Sequence, residues 1–154
     1  MDDENVEVRE RSVGVLNNLI EINYDGRESY RTAAEAIDNE DYQALFEEYA
    51  EQRAHFIGEL NALVSHFGSE PADEGHLSGL LHRAWIDIKA AVTAGDAGAV
   101  MAECDRGEET ALRAYQEAMA ADLPEKVKEV IRRQMSAVRL AHERVHALNT
   151  ALHQ

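Results

Sequence analysis

Glu143-Arg144-Val145-His146 sets a carboxylate and an imidazole three positions apart, so that both can face one side of a helix. That is the spacing with which helical bundles hold divalent metal ions, one such pair on each of two helices and a single Glu on each of two others. Gln52-Arg53-Ala54-His55 is a near miss to the same pattern. Further acids stand ready in Glu21, Asp25 and Glu28, and again in Glu103, Glu108 and Glu109. The chemistry such a set would perform is redox or storage chemistry on iron or manganese. Whether it can do so depends on which way each side chain points.

The elements that must position these residues are helices. Alanine is abundant, only two prolines occur, and no stretch alternates with a period of two. The apolar steps predict helices over 6–37, 40–67, 76–93, 96–121 and 124–152. Leu16, Leu19, Ile20, Tyr30, Ala33, Ala34 and Ile37 form the first stripe. Asn39 is expected to cap the second helix and Asp96 the fourth. Gly68 and Gly95 are expected to end helices, and Pro124 to lie near the first turn of the last. Short turns join the first pair of long helices and the last pair, so each pair is an antiparallel hairpin. A longer crossover carries the short helix, with Trp85 expected to anchor it. The second and fourth helices then run parallel. The predicted class is all-α, a four-helix bundle of two hairpins with an additional short helix in the crossover.

Facing removes most of the metal ligands. At about 100° per residue, Glu21, Asp25 and Glu28 fall opposite a stripe centred on Asn23, Tyr30 and Ala34. His55, Glu143 and His146 point away from the core stripes, and His142 stands at the margin. Glu108 is the acid that clearly faces inward, and Arg53 faces inward from the second helix. Each lies about 12 residues into its helix, and parallel helices bring them to one level. A buried guanidinium needs a charged partner. The reading is therefore a buried polar layer of Arg53, Glu108, Asn23, Gln134 and Arg27, with an Arg53–Glu108 ion pair at its centre. No catalytic residue is assigned. Glu108, His142 and Cys104 are the candidates for a mononuclear metal site.

Charge and composition bound the partners. Thirty acidic against fifteen basic residues give a formal net charge of −15, which opposes binding to a phosphate backbone. A single cysteine excludes an intrachain disulfide. No apolar run is long enough to span a bilayer, and the N-terminal stretch lacks the apolar core of a signal peptide. The expectation is a cytoplasmic chain forming one domain over 1–154, with no nucleic acid or membrane partner. Ile22, Ile57, Ile86 and Leu140 sit off the core stripes. Some should receive the crossover helix and others form an oligomer surface, a homodimer being the default.

Leu16-Asn17-Asn18-Leu19-Ile20-Glu21, Asp25-Gly26 and Ala33-Ala34-Glu35 carry a family resemblance. So do His82-Arg83-Ala84-Trp85, Glu103-Cys104-Asp105-Arg106-Gly107-Glu108, Leu123-Pro124 and Ala141-His142. Together they resemble a bacterial family of ferritin-like four-helix-bundle proteins catalogued as a domain of unknown function. The resemblance implies a ferritin-like bundle, a bacterial cytosol and no established catalysis. Some members of the wider superfamily bind iron or manganese, but the inward carboxylates here do not match theirs. The expected function is a non-enzymatic stress-associated or protein-interaction module without a cofactor. The alternative is an iron or manganese redox or storage protein with atypical ligands.

Overall fold

The computed structural model describes residues 2–70 and 83–154. Among these the regular structure is helical: α1 (Asp2–Ala36), α2 (Glu40–His66), α3 (Arg83–Ala94), α4 (Ala97–Ala120) and α5 (Glu125–Leu152). Helix α1 starts earlier than its apolar stripe. It begins at Asp2, four residues before the expected start at Val6, and the added Asp2-Asp3-Glu4-Asn5 offer no apolar step to read. The start expected for the short helix, residues 76–82, lies outside the described residues.

Local chemistry sets the boundaries. The Asn39 side chain accepts a hydrogen bond from the Tyr42 amide at 3.0 Å. Asp96 accepts from the amides of Gly98 and Ala99 at 2.9 and 3.3 Å. Both are N-caps, each satisfying donors that the first helical turn leaves unpaired. Gly68 and Gly95 take φ of 81° and 73°, the left-handed region in which a side chain would strain the backbone.

Helix α1 packs along α2, α4 along α5, and α3 rests on α1 and α4. The core has two apolar clusters. One joins Leu16, Leu19 and Ile20 of α1 to Leu60 and Val64 of α2, Tyr115 and Ala118 of α4, and Val127 and Ile131 of α5. The other joins Tyr30, Ala33 and Ile37 to Phe46, Tyr49, Val100, Met101, Ala141 and Val145, with Ile88 of α3. The middle of α1 thus meets the ends of α2 and α4 and the start of α5, while its last turns meet the starts of α2 and α4 and the end of α5. Helices α2 and α4 therefore run parallel, both antiparallel to α1 and α5. The polar side chains of interest lie between the two clusters.

Candidate functional site

Arg53 and Glu108 are among the most deeply buried side chains, 1% and 2% exposed. Arg53 Nη2 lies 2.7 Å from Glu108 Oε1 and donates to Oε2 at 2.8 Å. Arg53 Nε donates to Gln52 Oε1 at 3.2 Å, and the guanidinium carbon stands 5.7 Å from the centre of the Tyr30 ring. Gly26 lies alongside the guanidinium: a Cβ there would stand 3.4 Å from Arg53 Nη1. Burial works against the Arg53 charge, but the Glu108 carboxylate outweighs it and moves the pKa up. Burial, reinforced by Glu108, pushes the Tyr30 phenol well above its ordinary value. The same two causes push the Cys104 thiol up, which makes it a poor nucleophile. A cavity of about 30 Å³ adjoins the pair, lined by Ser29, Tyr30, Cys104 and Gly107 among others.

A hydrogen-bond chain crosses the bundle beside this pair. Asn23 Nδ2 donates to the Leu19 carbonyl and to the Tyr115 hydroxyl, each at 2.8 Å. The Tyr115 hydroxyl donates to Gln134 Oε1 at 2.7 Å. Gln134 Nε2 then reaches Glu59 Oε1 at 3.1 Å, and Arg133 holds Glu59 through both Nη atoms at 3.1 and 2.6 Å. The chain thus ties α1, α4, α5 and α2. Arg27, expected in the same layer, stands at its edge. It is partly exposed, pairs with Glu28 at 3.0 Å and lies over the Tyr24 ring at 4.7 Å. It is four residues beyond Asn23, and at about 100° per residue that turns it some 40° from the inward direction.

The structure does not gather Glu108, His142 and Cys104 at one point. Glu108 is bound to Arg53, while His142 turns out of the core toward Asp105, with Nε2 3.2 Å from Oδ1. Among the described residues, the His, Cys and acidic groups near enough to share an ion are Asp105, His142 and His146. His146 Nδ1 lies 2.9 Å from Asp105 Oδ2, and Asn149 Nδ2 donates to that same oxygen at 3.0 Å. Burial raises the Asp105 pKa, but the hydrogen bonds from His146 and Asn149 and the charge of the two histidines pull it below the usual value. The sequence offered a signal for this cluster. His142, His146 and Asn149 recur at helical spacing along one face of α5. Asp105 carries no such signal, because its partners lie on the neighbouring helix and not on its own.

A dinuclear centre in the bundle interior needs several inward carboxylates. The buried acids among the described residues are Asp25, Asp105 and Glu108. Asp25 serves α3, accepting from the amides of Ala84 and Trp85, Asp105 faces α5, and Glu108 faces a guanidinium. These residues do not fit such a centre.

Residues 11–121 match the family described as domain of unknown function (DUF2383). The chain belongs to that family. The match spans α1 from Arg11 through α4, so it includes Arg53, Asp105 and Glu108 and stops short of His142 and His146. No curated protein matches the chain. Among the described residues of this DUF2383 member, no helix is long and apolar enough to cross a membrane.

Proposed function

We propose that this DUF2383 protein is a ferritin-like bundle acting as a non-enzymatic interaction or stress-associated module in the bacterial cytoplasm. Its interior carries an ion pair where metal-loaded bundles carry ions. The observation that supports this reading is the buried Arg53–Glu108 contact. A fixed positive charge repels a cation, and it occupies the carboxylate that would bind one. The buried, protonated thiol of Cys104 adds no nucleophile. A homodimer would cover exposed apolar side chains such as Leu140, which is 67% exposed.

The test is elemental analysis of protein purified without chelators, together with an iron-oxidation assay. The expected result is no stoichiometric iron or manganese that depends on Glu108, and no oxidation of ferrous iron. A transition metal present in the wild type and lost in Glu108→Ala overturns the reading. Sedimentation velocity at high micromolar concentration tests the dimer. A monomer there, or a dimer unaffected by Leu140→Glu, removes Leu140 as the contact.

A further inference from the structure

We propose that Asp105, His142 and His146 form a binding site for a borderline divalent transition metal, Zn²⁺ being the type, at the seam between α4 and α5. The site lies outside the bundle interior and does not rest on the reading of the core given above.

Three observations carry it. The first is convergence. His142 and His146 stand one turn apart on α5, so both imidazoles leave the same face. The Asp105 carboxylate meets them from α4 with one oxygen toward each ring, at 3.2 Å to His142 Nε2 and 2.9 Å to His146 Nδ1. The ligand atoms all lie within 4.8 Å of one another. Ligands about 2.1 Å from a tetrahedral Zn²⁺ stand about 3.4 Å apart, so small side-chain rotations would close the cluster around an ion.

The second is an orphaned acceptor. Asp105 Oδ1 is sealed from solvent and meets no donor in hydrogen-bonding geometry. Buried carboxylate oxygens are normally satisfied; His142 Nε2 stands 3.2 Å away without the alignment to donate, and an ion between them would take a lone pair from each. The third is the surround. Asn149 Nδ2 holds Asp105 Oδ2 at 3.0 Å, the kind of outer contact that orients a metal-binding carboxylate. On the other side the His146 side chain is 63% exposed, which leaves access for an ion and room for water as the remaining ligand. Two imidazole nitrogens and one carboxylate oxygen suit zinc, copper or nickel. Calcium and magnesium want oxygen ligands.

The experiment uses the full chain, stripped with a chelator and then dialysed, titrated with ZnCl₂ by calorimetry. Co²⁺ absorption serves as a second readout. The expected result is one Zn²⁺ per chain and Co²⁺ d–d bands of a low-symmetry site. Asp105→Asn and His142→Ala should each weaken binding at least tenfold, whereas His55→Ala and His153→Ala, at exposed histidines elsewhere, should leave it intact. Circular dichroism reports whether each variant folds. If one does not, the wild-type Co²⁺ spectrum and zinc competition decide the matter without it. Absence of a stoichiometric site overturns the proposal, as does binding that survives Asp105→Asn in folded protein. Metal lost on Asp105→Asn but retained on Glu108→Ala belongs to this site, so its failure is distinct from that of the core reading.

Discussion

Glu108 grips Arg53 by one nitrogen: Nη2 is 2.7 Å from Oε1 and 2.8 Å from Oε2, while Nε turns to Gln52. The contact is therefore a single-tip clasp, not the parallel two-nitrogen fork a guanidinium can offer. Removing either partner strands a buried charge. Arg53→Met should lower unfolding free energy by about 3–5 kcal/mol, and Arg53→Met with Glu108→Leu should recover most of that loss. Urea denaturation of the two variants measures both. A single variant as stable as the wild type would show that the pair is not buried in solution.

The same single-tip contact bears on Arg53→Lys. One ammonium can replace one nitrogen, so this variant should retain more stability than Arg53→Met. Were the two equal in denaturation, the remaining guanidinium nitrogens would matter more than the distances indicate.

Gly26 gives a prediction of opposite sign. A glycine inside a helix costs about 0.5–1 kcal/mol relative to alanine. The added Cβ would meet Arg53 Nη1 at 3.4 Å, an ordinary contact. Gly26→Ala should therefore stabilise by up to about 1 kcal/mol, and Gly26→Leu should destabilise by displacing the guanidinium. Thermal melts of the two variants check the opposite signs.

How far the residues alone could be read follows from what each inference needed. Arg53 and Glu108 lie at the centres of their apolar stripes, so periodicity and helix level sufficed to set them face to face. Asn39 and Asp96 precede strong stripes, and capping depends only on the next three residues. Asp25, His142 and His146 lie off the centres of their stripes, and their partners are on elements that a core stripe does not locate. Asp25 lies under α3, and the two histidines lie along the α4 seam. A contact between neighbouring helices depends on how each is rotated about its axis, and a single stripe does not specify that. The residues by which α1 precedes Val6, Asp2-Asp3-Glu4-Asn5, are all polar and carry no apolar period.

Tyr115 links the interior to pH. Burial pushes its phenol up to about 12, from an ordinary value of about 10. For an acid whose folded pKa is raised, the stabilisation is complete below the unfolded pKa and is lost as pH rises through the folded one. Stability from this group should hold to about pH 10 and fall toward pH 12. The difference in alkaline ultraviolet titration between wild type and Tyr115→Phe isolates this phenol. An ionisation near 10 would contradict its burial between Asn23 and Gln134.

Asp25 and Trp85 join α3 to the bundle. The Asp25 carboxylate of α1 accepts from the amides of Trp85 and Ala84 at 3.0 and 3.3 Å, capping a helix to which it does not belong. The Trp85 indole donates to Thr32 Oγ1 at 3.0 Å, so a second contact fixes the same turn. Loss of a helix cap typically costs about 1 kcal/mol, and here the loss should fall on α3, since Asp25 is interior to α1. Asp25→Ala should speed amide hydrogen exchange from Trp85 to Ala94 while leaving α5 protected, and Thr32→Val should do the same more weakly. Uniform acceleration across all helices would mean that α3 does not open on its own and that Asp25 supports the whole bundle.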